Sequence, residues 1–351
     1  MARVHQVAAH PAPRAASPPI PSQGGVSWRP LGMAFAVALA VAAPWLFYPV
    51  LLMKLWCFAL YACAFNLVLG RLGLLSLGHA AFLGSAAYAC GLALRDWGWP
   101  PEAALGLAVA VATVLGAVLG ALAVRCSGIY FAMITLALAQ MVYFVVLQTP
   151  AWGGEDGLQG VPRGRLLGLF DLGQDRVLYA LVATLSAGGL WLLHRIAHSP
   201  FGVVLSAIRD SEARATSLGY RVALYKWLCF VLSAALAGLA GALKCLVFGV
   251  ATLSDVSFTT SGDAVLMALL GGLQTVLGPA LGSTLLVLLQ TVLADRLGAY
   301  VTVVAGALFV LCVLSFRRGL VGLIGAVATL LRRRPRGAPS SPSSIVSEHL
   351  S

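Results

Sequence analysis

The residues able to do chemistry in this chain are few and stand out against an apolar background. The densest group is the polar, basic interlude from His198 to Lys226, set between hydrophobic stretches. Pro200 and Gly202 break the preceding stretch. Val204, Ile208, Ala215 and Leu218 then recur at helical spacing while Arg209, Asp210, Glu212 and Arg214 fall on the other sides. Gly219 ends the pattern where a C-terminal glycine belongs. The spacing predicts one short amphipathic helix on the membrane surface, and the chemistry such a helix offers is docking of a soluble partner. Asp210 and Arg214, four residues apart, would form an internal ion pair on it.

A second group lies inside an apolar stretch. His79, with Ser76 one turn before it, is an ionisable residue that lipid does not tolerate, so it faces protein or water. It is either a structural hydrogen-bonding group or a contact for a passing solute. Thr135 and Gln140, between Phe131 and Tyr143, pose the same alternative. No chain of intramembrane acids accompanies them, and Asp263 stands alone near the start of a late apolar stretch.

Glycine, 38 residues in all, concentrates in two runs. One runs from Leu69 to Gly84 through Gly70, Gly73 and Gly78; the other runs from Leu270 to Gly282 through Gly271, Gly272 and Gly278-Pro279. Interrupted apolar segments in opposite halves of a chain point to a repeat-built transporter with a path near the membrane midplane. Ser76, Gly78, His79, Phe82, Thr135, Gly271 and Gly272 are the candidate pathway residues. Close helix packing by small residues is the competing explanation, as at Gly116-xxx-Gly120, Gly238-xx-Gly241 and Gly278-xxx-Gly282.

Several kinds of chemistry are missing. There is no GxxxxGK[ST] loop, no HExxH and no GxSxG, so no nucleotide, zinc-protease or esterase motif is present. The seven cysteines have no CxxC or CxxH spacing and read as small hydrophobes in helices. No cofactor or metal is indicated, and the chain does not read as an enzyme.

The elements that must position these residues follow from composition. With 351 residues, 60% hydrophobic and 10% charged, against about 25% charged in soluble domains, the chain is a polytopic membrane protein. The net charge of +11 falls partly on Arg332, Arg333, Arg334 and Arg336, a flank to lipid headgroups rather than a nucleic-acid surface. Spans are expected at 31–53, 54–70, 74–94, 102–124, 128–148, 177–197 and 226–250, with a final span at 299–316. Arg71, Arg125 and the cluster Arg195, Arg209, Arg214, Arg221, Lys226 place one end in the cytoplasm. Parity requires residues 255–295 to leave and return to the outer side, as two short spans or a re-entrant hairpin broken at Gly271-Gly272 and Gly278-Pro279. The expected fold is an all-α, polytopic transmembrane helical bundle of about ten membrane segments with discontinuous or re-entrant helices and both termini cytosolic. Residues 1–30 read as a disordered N-terminal tail, 31–316 as the membrane domain with the 198–226 loop, and 317–351 as a basic, Pro/Ser-rich tail.

Several motifs in order resemble a known family. They are Gly73-Leu-Leu-Ser-Leu-Gly-His-Ala-Ala-Phe82, Gly128-Ile-Tyr-Phe-Ala-Met-Ile-Thr-Leu-Ala137, Gly153-Gly-Glu-Asp-Gly-Leu158, Ser199-Pro-Phe-Gly202, Ala207-Ile-Arg-Asp-Ser-Glu212 with Leu218-Gly219, and Gly271-Gly-Leu273 with Gly278-Pro-Ala-Leu-Gly282. Over roughly residues 55–320 the chain is similar to the permease subunits of high-affinity branched-chain amino-acid ABC transporters, LivM/LivH type, and more closely to the LivM-like member. The resemblance implies that the 198–226 loop is the coupling segment, with Pro200, Phe201, Gly202, Arg209, Glu212, Ala213 and Gly219 on or near the surface that meets the ATPase. Ala213 and Gly219 would let the helix lie close to its neighbour.

It implies as partners a second permease subunit, two cytosolic ATP-binding subunits and a periplasmic substrate-binding protein that delivers solute to the outer face, including the Trp152 to Pro162 loop. The setting implied is the bacterial inner membrane, and the solute leucine, isoleucine, valine or a related small amino acid or amide. The sequence departs from the family pattern at Ser211, commonly Asn, and at Gln274, frequently glycine. An ion-coupled secondary carrier is the alternative; it would need intramembrane Asp, Glu or Lys, which are nearly absent.

Overall fold

The computed structural model describes residues 48–273, 275–297 and 306. Both tails, residues 31–47, Gln274 and the final span at 299–316 apart from Gly306 lie outside the described residues. So do Arg317, Arg318 and the arginines from 332 onward.

The first helix starts where its sequence permits. Tyr48 is extended and Pro49, whose ring presets a helical φ and whose missing N–H has no helical partner to lose, takes the first turn of α1, Pro49–Asn66. The expected division of spans at 53/54 does not occur. Nothing between Leu52 and Leu55 caps or breaks a helix, and a lone Lys54 does not interrupt the hydrogen-bond ladder. The chain then widens into a π-helical stretch, Leu67–Leu72, and stops at Gly73, whose φ of 76° suits glycine. Residues 74–78 are not helical, so the expected 74–94 span begins late, as α2, His79–Arg95.

The next elements follow the expected spans closely: α3, Pro101–Ala123; α4, Ile129–Gln148; α5, Asp175–Ala197. Two short helices come next, α6, Pro200–Asp210, and α7, Glu212–Ser217, and then the long α8, Val222–Phe248. A 3-10 turn, Leu253–Asp255, leads into α9, Phe258–Gly271, and α10, Gly278–Leu297. Among the described residues five helices are long and apolar enough to cross a membrane: α1 with its π extension, α3, α4, α5 and α8. Helices α9 and α10 pack as a hairpin, Gly282 lying against Met267 and Gly271 against Gly278. The turn between them falls at 272–277, between Gly271 and Gly278.

Helix α8 is the central element. Phe230, Ala234, Ala237, Gly238, Gly241 and Cys245 are buried along it. Helix α3 presents α8 with a stripe of small residues, Ala104, Ala108, Ala112, Gly116 and Gly120, spaced four apart and buried. Lipid tails are as apolar as leucine, so burial against lipid gives helices little reason to associate; close backbone approach and dispersion supply it. Gly116 fits against Ala234, Gly238 against Ala112, and Gly241 against the Leu83 backbone of α2. The outward faces of α3 and α4 stay apolar and exposed at Val114, Val118, Met133, Met141 and Val145, as a lipid-facing surface should.

At the end opposite the arginine-rich loops, the connection between α4 and α5 folds onto the end of α8. Leu158 and Ala251 exchange backbone hydrogen bonds at 2.8 and 2.9 Å, and the Val161 N–H donates to the Gly249 carbonyl at 3.0 Å. A two-residue antiparallel hairpin pairs Arg165 with Asp171. Arg163 joins Asp175 at 3.0 Å and donates to the Val247 carbonyl at 3.1 Å, tying the loop to both neighbouring helices.

Candidate functional site

The 198–226 interlude is two helices, not one. Ser199 caps α6, its Oγ accepting the Gly202 N–H, and Pro200 occupies the first turn. Gly202 is required because a Cβ there would meet the Ile196 and Ala197 carbonyls. Ser211 is extended (φ −164°, ψ 105°) and caps α7 by accepting the Arg214 N–H at 3.3 Å. Asn at this position would cap equally well, so the departure from the family pattern keeps the cap.

The break at Ser211 alters the faces. Leu205, Ile208 and Ala215 are buried, whereas Leu218, expected on the apolar face, is 71% exposed. Asp210 and Arg214 form no ion pair among the described residues, because the extended residue between them destroys their i,i+4 relation; Asp210 instead meets Arg209 at 3.4 Å. At the far end Gly219 (φ 86°) completes a Schellman turn: its N–H donates to Thr216 and the Tyr220 N–H to Ala215. Among the described residues no atom lies near enough to Gly219 to make it a close-packing position; its φ of 86° is the reason for glycine there.

Both charged residues expected on the docking surface make contacts within their own chain while their side chains stay partly exposed. The Arg209 Nη1 donates to the Gly70 carbonyl at 2.7 Å. Glu212 pairs with Lys226 of α8 at 2.7 Å; the Lys226 side chain is 5% exposed and that of Glu212 50%. Phe201 stacks on Tyr225 with ring centroids 5.6 Å apart. The faces left open carry Val203, Ala207, Ala213 and Leu218 beside Asp210, Arg214, Thr216 and Ser217.

The first glycine run brings Ser76, Gly78, His79, Phe82 and Thr135 together. Thr135 Oγ1 of α4 accepts the Leu77 N–H at 3.2 Å, and Gly78 sits against the Thr135 carbonyl, where no Cβ would fit. The Ala80 N–H donates to Ser261 Oγ of α9 at 2.9 Å. His79 is wholly buried, with Nδ1 2.9 Å from Ser76 Oγ and Nε2 2.8 Å from Ser233 Oγ. Ser233 spends its hydrogen on the Ala64 carbonyl at 2.5 Å, so Nε2–H donates to it and Nδ1 accepts from Ser76. The rings of Phe65, Phe82 and Phe230 meet the imidazole edge-on, at 5.1 to 5.6 Å. Neither ring nitrogen is open to a solute in this arrangement.

The second run is equally close-packed. Gly271 is wedged against Gly278 and Gly282, and Gly272 turns the chain with a φ of 102°. What sequence reasoning missed is that the two runs touch. The Asn66 side-chain amide donates to the Thr275 carbonyl at 2.9 Å, and Gly70 lies directly under the Leu273 carbonyl. It also missed a buried charge pair. Lys244, inside the apolar α8, joins Asp255, and its ammonium lies 5.8 Å from the centre of the Phe58 ring. A lysine near the far end of an apolar span, with an aspartate eleven residues on, was the available signal. Among the described residues no group of three or more His, Cys, Asp and Glu is gathered as a metal site.

Residues 47–313 match the family model described as branched-chain amino acid transport system, permease component. The high-affinity branched-chain amino acid transport system permease protein LivM of Salmonella typhimurium strain LT2 is 30% identical over 232 residues, 59% of this chain and 54% of that protein. The LivM protein of Escherichia coli strain K12 is 30% identical over 231 residues, with the same shares. The chain spans about half the length of these curated relatives. No solved structure gives a significant match. With its apolar helices and this match over most of its length, the chain is a multi-pass membrane protein that belongs to the branched-chain amino acid transport permease family.

Proposed function

We propose that this chain is one permease subunit of an ABC importer in the bacterial inner membrane. It forms half of a translocation path for leucine, isoleucine, valine or related small amino acids and amides. Two cytosolic ATP-binding subunits drive it, a second permease completes the path, and a periplasmic binding protein loads it. The membrane domain has about ten segments with both termini cytosolic.

The observation that carries this reading is the construction of α6 and α7. Their buried faces, Leu205, Ile208 and Ala215, hold to the bundle, and their opposite faces offer Val203, Ala207, Ala213 and Leu218 at the arginine-rich end. Exposed apolar residues at a polar membrane surface favour a protein partner. Pro200, Phe201 and Gly202 set the angle at which α6 leaves α5; Arg209 and Glu212 anchor the pair from behind, and Gly219 shapes its exit. The path runs beside the two broken segments, Ser76 to Phe82 with Thr135 on one side and Gly271-Gly272 on the other. It opens when ATP-driven closure of the ATPases rocks these segments apart.

The test is uptake into proteoliposomes. The chain reconstituted with the second permease, both ATPases and the binding protein should accumulate labelled leucine only with ATP inside the ATPase compartment. Uptake by the chain alone along an ion gradient would overturn the reading.

A further inference from the structure

The docking pair reaches a broken segment directly where α6 meets the π-helical turn, and Arg209 makes the polar contact there. At the end of the π-helical turn the Gly73 N–H goes to Leu69 and the Leu74 N–H to Val68, so neither takes the Gly70 carbonyl. The Gly70 carbonyl is instead taken by the Arg209 guanidinium at 2.7 Å. Beneath the same side chain lies Gly73, where a Cβ would come within 2.6 Å of Arg209 Cγ. Gly70 in turn underlies the Leu273 carbonyl, and Asn66, one turn earlier, holds the Thr275 carbonyl. An unbroken series of contacts therefore runs from the end of α6 through the first glycine run to the second.

We propose that Arg209 is a positioning residue that transmits movement of the docking helices to the paired glycine breaks. The inference rests on the reading of α6 and α7 as the ATPase contact. Several features suit Arg209 to the task. Ile208 and Leu205 seat α6 firmly, so the helix moves as a unit with Arg209 near its end. The guanidinium is always charged and its planar fork holds direction, which a flexible ammonium does not. The segment it grips is a π turn followed by glycine, where backbone torsions change at small steric cost. The Glu212 to Lys226 pair fastens α7 to α8 independently, so loss of Arg209 leaves the docking pair attached.

The experiment uses the full chain reconstituted with its second permease, ATPases and binding protein, and compares wild type with Arg209→Gln and Arg209→Lys. Assembly with the ATPases, ATP hydrolysis and leucine uptake are measured on the same vesicles. Arg209→Gln should assemble and hydrolyse ATP within about twofold of wild type while leucine moved per ATP falls at least tenfold. Arg209→Lys, which keeps a cationic donor, should recover part of that ratio. An unchanged ratio in Arg209→Gln would overturn the inference. So would loss of the assembled complex in both variants, since Arg209 would then serve only to hold the fold. Absence of ATP-dependent uptake by wild type would instead strike the reading of the docking pair itself.

Discussion

Asn66 donates its side-chain amide to the carbonyl of Thr275 at 2.9 Å, joining two glycine-rich interruptions that lie 209 residues apart in the chain. Asn66 is 3% exposed, so its amide has no water as a substitute partner, while Thr275 is only half-buried. Replacement by leucine keeps the bulk and removes the bond to a half-buried carbonyl, at a cost of about 0.5–1.5 kcal/mol. Asn66→Leu should lower the unfolding midpoint of the detergent-solubilised protein by several degrees. Asn66→Leu with an unaltered midpoint would show that the contact carries no weight.

Glu212 holds Lys226 at 2.7 Å, and the lysine side chain is almost completely covered. Removing the carboxylate leaves a buried ammonium, a loss that reaches about 3–5 kcal/mol when both partners are buried. Glu212 is half exposed, so water screens the pair and about 1–2 kcal/mol is expected for Glu212→Gln. Glu212→Lys places two ammonium groups together and should abolish ATP-dependent uptake while membrane insertion persists. A double-mutant cycle with Lys226→Met checks the assignment: the methionine should relieve most of the Glu212→Gln loss.

The sequence carried the frame of the fold in its local signals. Pro49, Pro101 and Pro200 open helices, and Gly219 closes one, each for a reason confined to a few residues of backbone. The break at Ser211 was hidden because Ile208 and Ala215 keep a seven-residue spacing that one continuous helix would also produce. The contacts that Arg209 and Glu212 make within the chain were hidden for a different reason: charge patterning says which residues avoid lipid, and says nothing of which carbonyl or ammonium waits on a distant segment. Contact between the glycine runs likewise depends on how α1 packs against the α9–α10 hairpin. No periodicity within either run contains that information.

The glycines separate into those that pack and those that do not, which gives a paired comparison. A methyl at Gly241 would press on the Leu83 backbone, which cannot yield without moving α2, whereas nothing among the described residues lies within 4 Å of a methyl at Gly106. Gly241→Ala should therefore cost about 1–3 kcal/mol through overpacking. Gly106→Ala should be neutral or gain up to about 1 kcal/mol from helix propensity. Thermal unfolding of the two variants side by side measures the difference.

His79 distinguishes a structural polar network from a solute contact. His79→Leu removes both ring hydrogen bonds, yet Ser233 still donates to Ala64, so the cost should be about 1–3 kcal/mol. His79→Ala also empties the space between Phe65, Phe82 and Phe230, and about 3–5 kcal/mol is expected. If the imidazole serves packing alone, leucine uptake per folded His79→Leu molecule should stay within about twofold of wild type while the midpoint falls. A leucine variant that keeps its midpoint and loses uptake would place the imidazole on the solute path, reached in a conformation where the Ser76 and Ser233 contacts have opened.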